Sequence, residues 1–302
     1  MNELRKGASE ISTRTQNRVQ FKFYPGGVMG EDAAVIRKMK LGQLHGGAFT
    51  NGSLAEIYPD VQIYNLVMKF RSYDEVDYIR KTLDARIIEG LREKGFEPFG
   101  FSEIGFAYLM STNPIRTLDD LKKQKAWIPE NNHIALEAVK AFSVTPTPLP
   151  IRDVLVGLQT GMVNTVAASP TAALLLQWHT QVKYVTDLPV SYIYGFLAID
   201  RSVFEKIADA DRAVVREVMK SAAREIDARN RKDNEDARKL MEKQGIQFLK
   251  LATDDVKALD GLVVQANRNL MTTGRVNTGT VDDLDRLLAE YRTQVKRPDR
   301  KL

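Results

Sequence analysis

Between Asp209 and Gln244 the chain contains neither proline nor glycine, and Val214, Val215, Val218, Met219, Ala222 and Ile226 recur at helical spacing. About 36 residues at a rise of 1.5 Å make a helix roughly 54 Å long, well beyond the ~30 Å of one small domain. Such a helix must protrude or lie across two lobes. Its second half, ARNRKDNEDARK, is almost free of apolar residues, as expected where it bridges or faces water. The remaining chain must then supply two cores. At 302 residues, 43% hydrophobic and 27% charged, it is long and apolar enough to do so.

The pattern around that helix is mixed α/β. Residues 2–14 read as helix and RVQFKFY (18–24) as strand. The glycine-rich turn PGGVMG leads to a helix started by Glu31 and Asp32, and LHGGAF (44–49) to a short strand. Strand, helix, strand in that order predicts a parallel pair. Residues 76–95 read as a helix stopped by Gly95, and FEPFGF and GFAYLMST (105–112) as two strands around a turn. A second α/β set follows. Thr117 opens a short helix, KAWIP is a strand, residues 131–142 form an Asn-capped helix, and VTPTPLP is extended. Residues 151–161 are a helix ended by Gly161, MVNTVAA is a strand, and Ser169 with Pro170 opens the next helix. Strands at 192–200 and 246–251 and helices near 253–272 and 280–293 complete the reading.

Composition excludes several functions. The net charge of +5, from 44 basic and 39 acidic residues without a basic block, argues against a nucleic-acid partner. No cysteine is present, which removes disulfides, thiolate metal sites and a cysteine nucleophile. His45, His133 and His179 are far apart and lack metal-ligand spacing, so neither a metal nor a cofactor is expected. PGGVMG lacks the lysine of a phosphate-binding loop, and no GxSxG occurs. Two α/β lobes without a catalytic motif predict a binding protein, not an enzyme, with its ligand in a cleft between lobes. The opening residues MNELRKGASEI have no apolar signal-peptide core. They read as the middle of an amphipathic helix with Leu4, Ala8 and Ile11 on one face, and so as a chain that begins late.

Four stretches carry a resemblance. RVQFKFYPGGVMGEDAAVIRKMKLGQLHGGAFTNG, PIRTLDDLKKQKAWIPE, TPTPLPIRDVLVGLQTGMVNTVAASP and VKYVTDLPVSYIYGFLAID occur in this order. Together they resemble the DctP-type solute-binding proteins of TRAP transporters, over nearly the whole chain. The resemblance implies a two-lobed periplasmic-binding-protein (Venus-flytrap) fold with the long helix spanning both lobes. Lobe I would comprise residues 1–109 and 192–228, and lobe II residues 110–191 and 229–302. It implies a periplasmic receptor that closes on a small organic solute and delivers it to TRAP membrane permease subunits. It also implies a signal peptide and a first strand upstream of Met1.

The departures from that family bear on the solute. The position of Trp127 usually holds an arginine that grips a solute carboxylate, and a second arginine site reads Ala107 here. Ser169 stands near an expected ligand-binding asparagine. The resemblance therefore places Trp127 in the ligand cleft. Two alternatives stay open: the indole fills the cleft shut, or it belongs to the core. Phe49, Asn51, Glu103, Tyr108 and Ser169 are the other candidate ligand-binding residues, with Trp178 either in the cleft or in the core. A solute stacked on Trp127 would be neutral, cationic or largely apolar. The rival is a carboxylate held by the helix start at Ser169–Pro170, or by Lys69 or Arg71. Two other functions compete: a sensor-input protein docking a signalling receptor, and a binding fold with an enzymatic activity.

Overall fold

The computed structural model describes residues 1–130 and 132–295. In chain order the elements begin with helices α1 (Asn2–Arg14) and α2 (Asp32–Lys40), strand β1 (Gly46–Thr50), helix α3 (Tyr73–Glu93) and strand β2 (Phe96–Ser111). Then come α4 (Leu118–Lys122), β3 (Lys125–Pro129), α5 (His133–Ala141), β4 (Thr145–Leu149), α6 (Val154–Thr160), β5 (Thr165–Ala168) and α7 (Pro170–Leu175). The chain continues through β6 (Tyr184–Asp200), α8 (Arg201–Phe204), α9 (Asp209–Lys243), β7 (Gln247–Leu249), α10 (Thr253–Thr272) and α11 (Thr278–Val295). The strands follow the order β1-β6-β2-β5-β3-β4, with β7 also pairing with β6.

The chain divides into two compact units, one of residues Met1–Val61, Arg80–Ile104 and Tyr194–Arg229, the other of Gln62–Ile79, Gly105–Ile193 and Asn230–Leu302. The long strands β2 and β6 and the 35-residue α9 each contribute residues to both units, as the unbroken helical stretch predicts. Residues 62–79 group with the second unit, not with the first as the sequence reading had them.

In unit 1, Ile11 of α1 packs with Phe99, Ile199 and Phe204 and with Val215, Val218 and Met219 from the first half of α9. β1 pairs antiparallel with β6, Phe49 opposite Phe196. The parallel pair expected at the N-terminus is therefore absent, because residues 18–24 take no place in a ladder. Phe21 and Phe23 still point one way, their rings 6.1 Å apart, and pack on this core. Strand-like composition reports fit to a half-buried surface, and here it is met without backbone pairing.

Unit 2 holds the true parallel set. β3 runs parallel to β4 on one side and to β5 on the other. β4 is the last strand of the path, and its sequence TPTPL explains why. Pro146 and Pro148 have no N–H and are two residues apart, so both leave the same side of the strand without donors. That side faces outward, and a central position would lose two ladder bonds. β2 is one strand and not two around a turn: Gly100 and Gly105 stay within it at φ of 109° and 111°. At Gly105 a Cβ would lie 2.6 Å from Asn234 Nδ2, so the glycine answers a close approach of α9.

Candidate functional site

Open α/β sheets present ligands at the carboxyl ends of their parallel strands. In unit 2 those ends are Pro129, Leu149 and Ala168, followed by the starts of α5, α6 and α7. Local sequence fixes this edge. The Asn132 side chain accepts from the Ala135 N–H at 2.9 Å and opens α5. Ser169 Oγ accepts from the Ala172 N–H at 3.3 Å and opens α7, with Pro170 pre-set in its first turn. Gly161, at φ 70°, stops α6 and turns the chain toward β5.

Trp127 lies on β3 with 7% of its surface exposed. Its neighbours Ala126 and Ile128 are buried as well, so both faces of β3 are covered and the alternation does not separate core from surface. The indole Nε1–H donates to the Leu149 carbonyl at 2.9 Å. Its ring meets that of Trp178 edge-on, centroids 5.0 Å apart at 72°. Both indoles belong to one apolar cluster with Met110, Val166, Ala168 and Met241. Trp178 is 2% exposed and lies beyond α7, in a 3-10 turn entered through Gln177 at φ 59°. Tyr108 of β2 stands opposite Ala168 and packs on the same cluster, and burial raises its phenol pKa.

Four of the expected residues, Trp127, Trp178, Tyr108 and Ser169, thus gather in unit 2. Phe49 and Glu103 belong to unit 1. Phe49 is buried between Phe96 and Phe196, both rings 6.2 Å away, and forms core there. Glu103 is fully buried within β2, and its backbone N–H donates to Asp227 at 2.5 Å. The turn expected beside it does not form. The side chain of Asn51 lies outside the described residues.

Two of the three alternative anion grips are occupied, and the third, Arg71, is exposed. Lys69 pairs with Asp285. At the start of α7 the Thr171 N–H donates to Asn234 Oδ1 at 3.1 Å, Ala172 to Ser169, and Pro170 has no N–H to give. Sequence reasoning missed Asn234, which is buried in the polar half of α9 and lies 63 residues from the helix it caps. No local pattern announces such a pairing. That half of α9 is not simply solvated. Arg231 lies over the Tyr73 ring and grips Asp77 at 2.8 and 2.6 Å; Arg238 lies over Phe248 and grips Asp187 at 2.7 and 3.0 Å. Hydrogen bonding to Arg238 holds Asp187 below the usual carboxylate range. Among the described residues, no group of histidines and carboxylates is placed to hold a metal ion, and no helix is long and apolar enough to cross a membrane.

The chain is similar to known proteins along its length. A solute-binding protein of Chromohalobacter salexigens is 25% identical over 221 residues, 72% of this chain; the match spans 65% of that protein, slightly under two thirds of its length. A TRAP periplasmic solute-binding protein of Desulfovibrio salexigens with bound orotic acid superposes with a TM-score of 0.84 at 18% identity, covering 97% of this chain and 94% of the other. The sugar acid-binding protein DctPAm of Advenella mimigardefordensis, in complex with galactonate, gives a TM-score of 0.86 at 17% identity over 96% of this chain and 93% of its own. The model of the DctP family, described as bacterial extracellular solute-binding protein, family 7, matches residues 1–270. The chain belongs to family 7 of the bacterial extracellular solute-binding proteins.

Proposed function

We propose that this protein is a periplasmic receptor that captures a small organic solute and delivers it to a TRAP-type membrane permease. The family match over residues 1–270 carries the reading. The likeness in fold to receptors holding orotic acid and galactonate supports a solute of that size. The carboxyl edge of β3, β4 and β5 is the part of unit 2 that we assign to meet it, with Trp127 and Trp178 buried in the apolar cluster of the same unit.

Binding without turnover is the expected behaviour. In a thermal-shift series against small sugar acids, sugars, pyrimidines and amines, a solute at 100 times its Kd adds about 2.7 kcal/mol of stability. In a chain of this size that raises Tm by roughly 4 °C. Such a solute should be recovered unchanged, and membrane vesicles carrying the cognate permease should take it up only when the protein is added. Conversion of the solute, or uptake independent of the protein, would refute the proposal.

A further inference from the structure

Unit 2 carries a pocket away from the edge assigned to the solute. It has a volume of about 350 Å³ and opens where the chain leaves Trp178 and where α9 ends, lined by His179, Thr180, Val182, Lys183, Gln244 and Ile246. Its place in the sheet follows from the pairings. The Lys183 N–H donates to the Ser111 carbonyl, and Ser111 stands opposite Thr165, the first residue of β5. Lys183 also leads into β6 and Ile246 into β7, two strands that run parallel. The pocket therefore lies at the amino ends of β5, β6 and β7, whereas the solute edge is at the carboxyl ends of β3, β4 and β5.

The lining is selective in its chemistry. Val182 and Ile246 are buried and give it an apolar base. His179 is half-buried, with Nδ1 3.2 Å from the Ala173 carbonyl. A carbonyl only accepts, so Nδ1 carries the proton, and Nε2 of the neutral ring is an acceptor. Nε2 has no partner among the described residues and is open to solvent. The Lys183 ammonium is exposed and has no ion-pair partner among those residues either. No carboxylate lines the pocket, and that of Glu242, close by in the chain, is held by Arg238 at 3.3 Å. The last carbonyls of α9 are spent as well: Leu240, Met241 and Glu242 accept from the N–H groups of Gln244, Ile246 and Gly245.

We propose that this pocket is a binding site of its own, for a small anion that also carries an O–H group. The negative oxygen rests on the Lys183 ammonium and the O–H donates to His179 Nε2. Hydrogen phosphate and 2-hydroxycarboxylates share that pair of groups. The site stands apart from the solute edge and holds whether or not that edge captures a solute.

The test is an NMR titration of the whole chain at about pH 7.5, where imidazoles are mostly neutral, read at the backbone amide signals of Thr180 and Gly245. Phosphate is set against sulfate, and lactate against propanoate; within each pair the charges are close and only one member carries an O–H. The expected result is saturable movement of both signals, with a Kd about tenfold lower for the member that has the O–H. Lys183→Gln should weaken every anion about tenfold. His179→Asn keeps a donor for the Ala173 carbonyl and removes Nε2, so it should bring the members of a pair within about twofold of each other while signals outside the pocket stay in place.

A preference in the phosphate pair alone identifies a phosphate group as what the site takes, and one in the lactate pair alone a hydroxy acid; either supports the proposal. No saturable movement with any of the four anions overturns it. So do equal affinities within both pairs, or a folded variant at His179 or Lys183 that binds as the wild type does.

Discussion

A buried indole N–H needs an acceptor, and Trp127 takes the last carbonyl of β4. Trp127→Ala removes that donor, strands a carbonyl and opens a cavity beside Trp178, so a loss of about 3–5 kcal/mol is expected. Trp127→Phe keeps most of the packing and loses the hydrogen bond, a loss of about 1–3 kcal/mol. Urea denaturation ranks the two, and the order Ala below Phe below wild type is the expected outcome. The chain has only two tryptophans, so the emission of Trp127→Phe comes from Trp178 alone and reports directly on the packing of this cluster.

Asn234 is the residue-scale counterpart on α9. Its Oδ1 accepts from Thr171 and its Nδ2 donates to the Asn230 carbonyl at 2.9 Å. Asn234→Ala leaves the Thr171 N–H without its acceptor, an expected loss of about 1–3 kcal/mol in the same denaturation experiment. Asn234→Asp keeps the acceptor for Thr171 but replaces the donor to the Asn230 carbonyl by an acceptor and buries a charge, so it should be no more stable than Asn234→Ala. An alanine variant as stable as the wild type would show that the cap contributes nothing.

At the scale of elements, Thr117 closes a reciprocal cap on α4. Its Oγ1 accepts from the Asp120 N–H at 3.2 Å while the Asp120 carboxylate accepts from the Thr117 N–H at 3.1 Å. Thr117→Ala should cost about 1 kcal/mol, read as a shift of the urea midpoint. This cap was legible in the sequence, as were the αL stop at Gly161, the Ser169–Pro170 opening and the length of α9, because each depends on residues a few positions apart. Features set by distant partners were not legible. Residues 18–24 have the composition of a strand, but a ladder needs a neighbour that composition does not name. Gly100 and Gly105 look like turn residues, yet both lie within one continuous strand, with α9 close to Gly105. The same limit holds at the candidate site. The sequence brought Trp127, Tyr108, Ser169 and Trp178 forward, but not the Leu149 carbonyl or Asn234 that consume the available donors and acceptors.

At the scale of the whole molecule, buried carboxylates gripped by partly exposed guanidiniums recur in each unit. In unit 1, Glu97 is buried and receives Arg92 at 3.1 and 3.0 Å and Arg216 at 2.9 Å. In unit 2, Glu75 is buried and receives Arg292 at 2.7 and 2.9 Å. Burial pushes both carboxyls upward, but the hydrogen bonds from their arginines outweigh it and both end below the ordinary glutamate value. A carboxylate whose folded pKa lies below its unfolded one contributes stability that is full above the unfolded value, about 4.3 for glutamate, and is lost as pH falls through the folded value. The protein should therefore hold its urea midpoint from pH 7 down to about 5 and lose it below about 4.3. Glu97→Gln should be less stable at pH 7 by about 2 kcal/mol, from charge-assisted bonds made neutral, and should show a shallower loss in acid. Parallel acid limbs for the variant and the wild type would show that Glu97 does not take part in the acid transition.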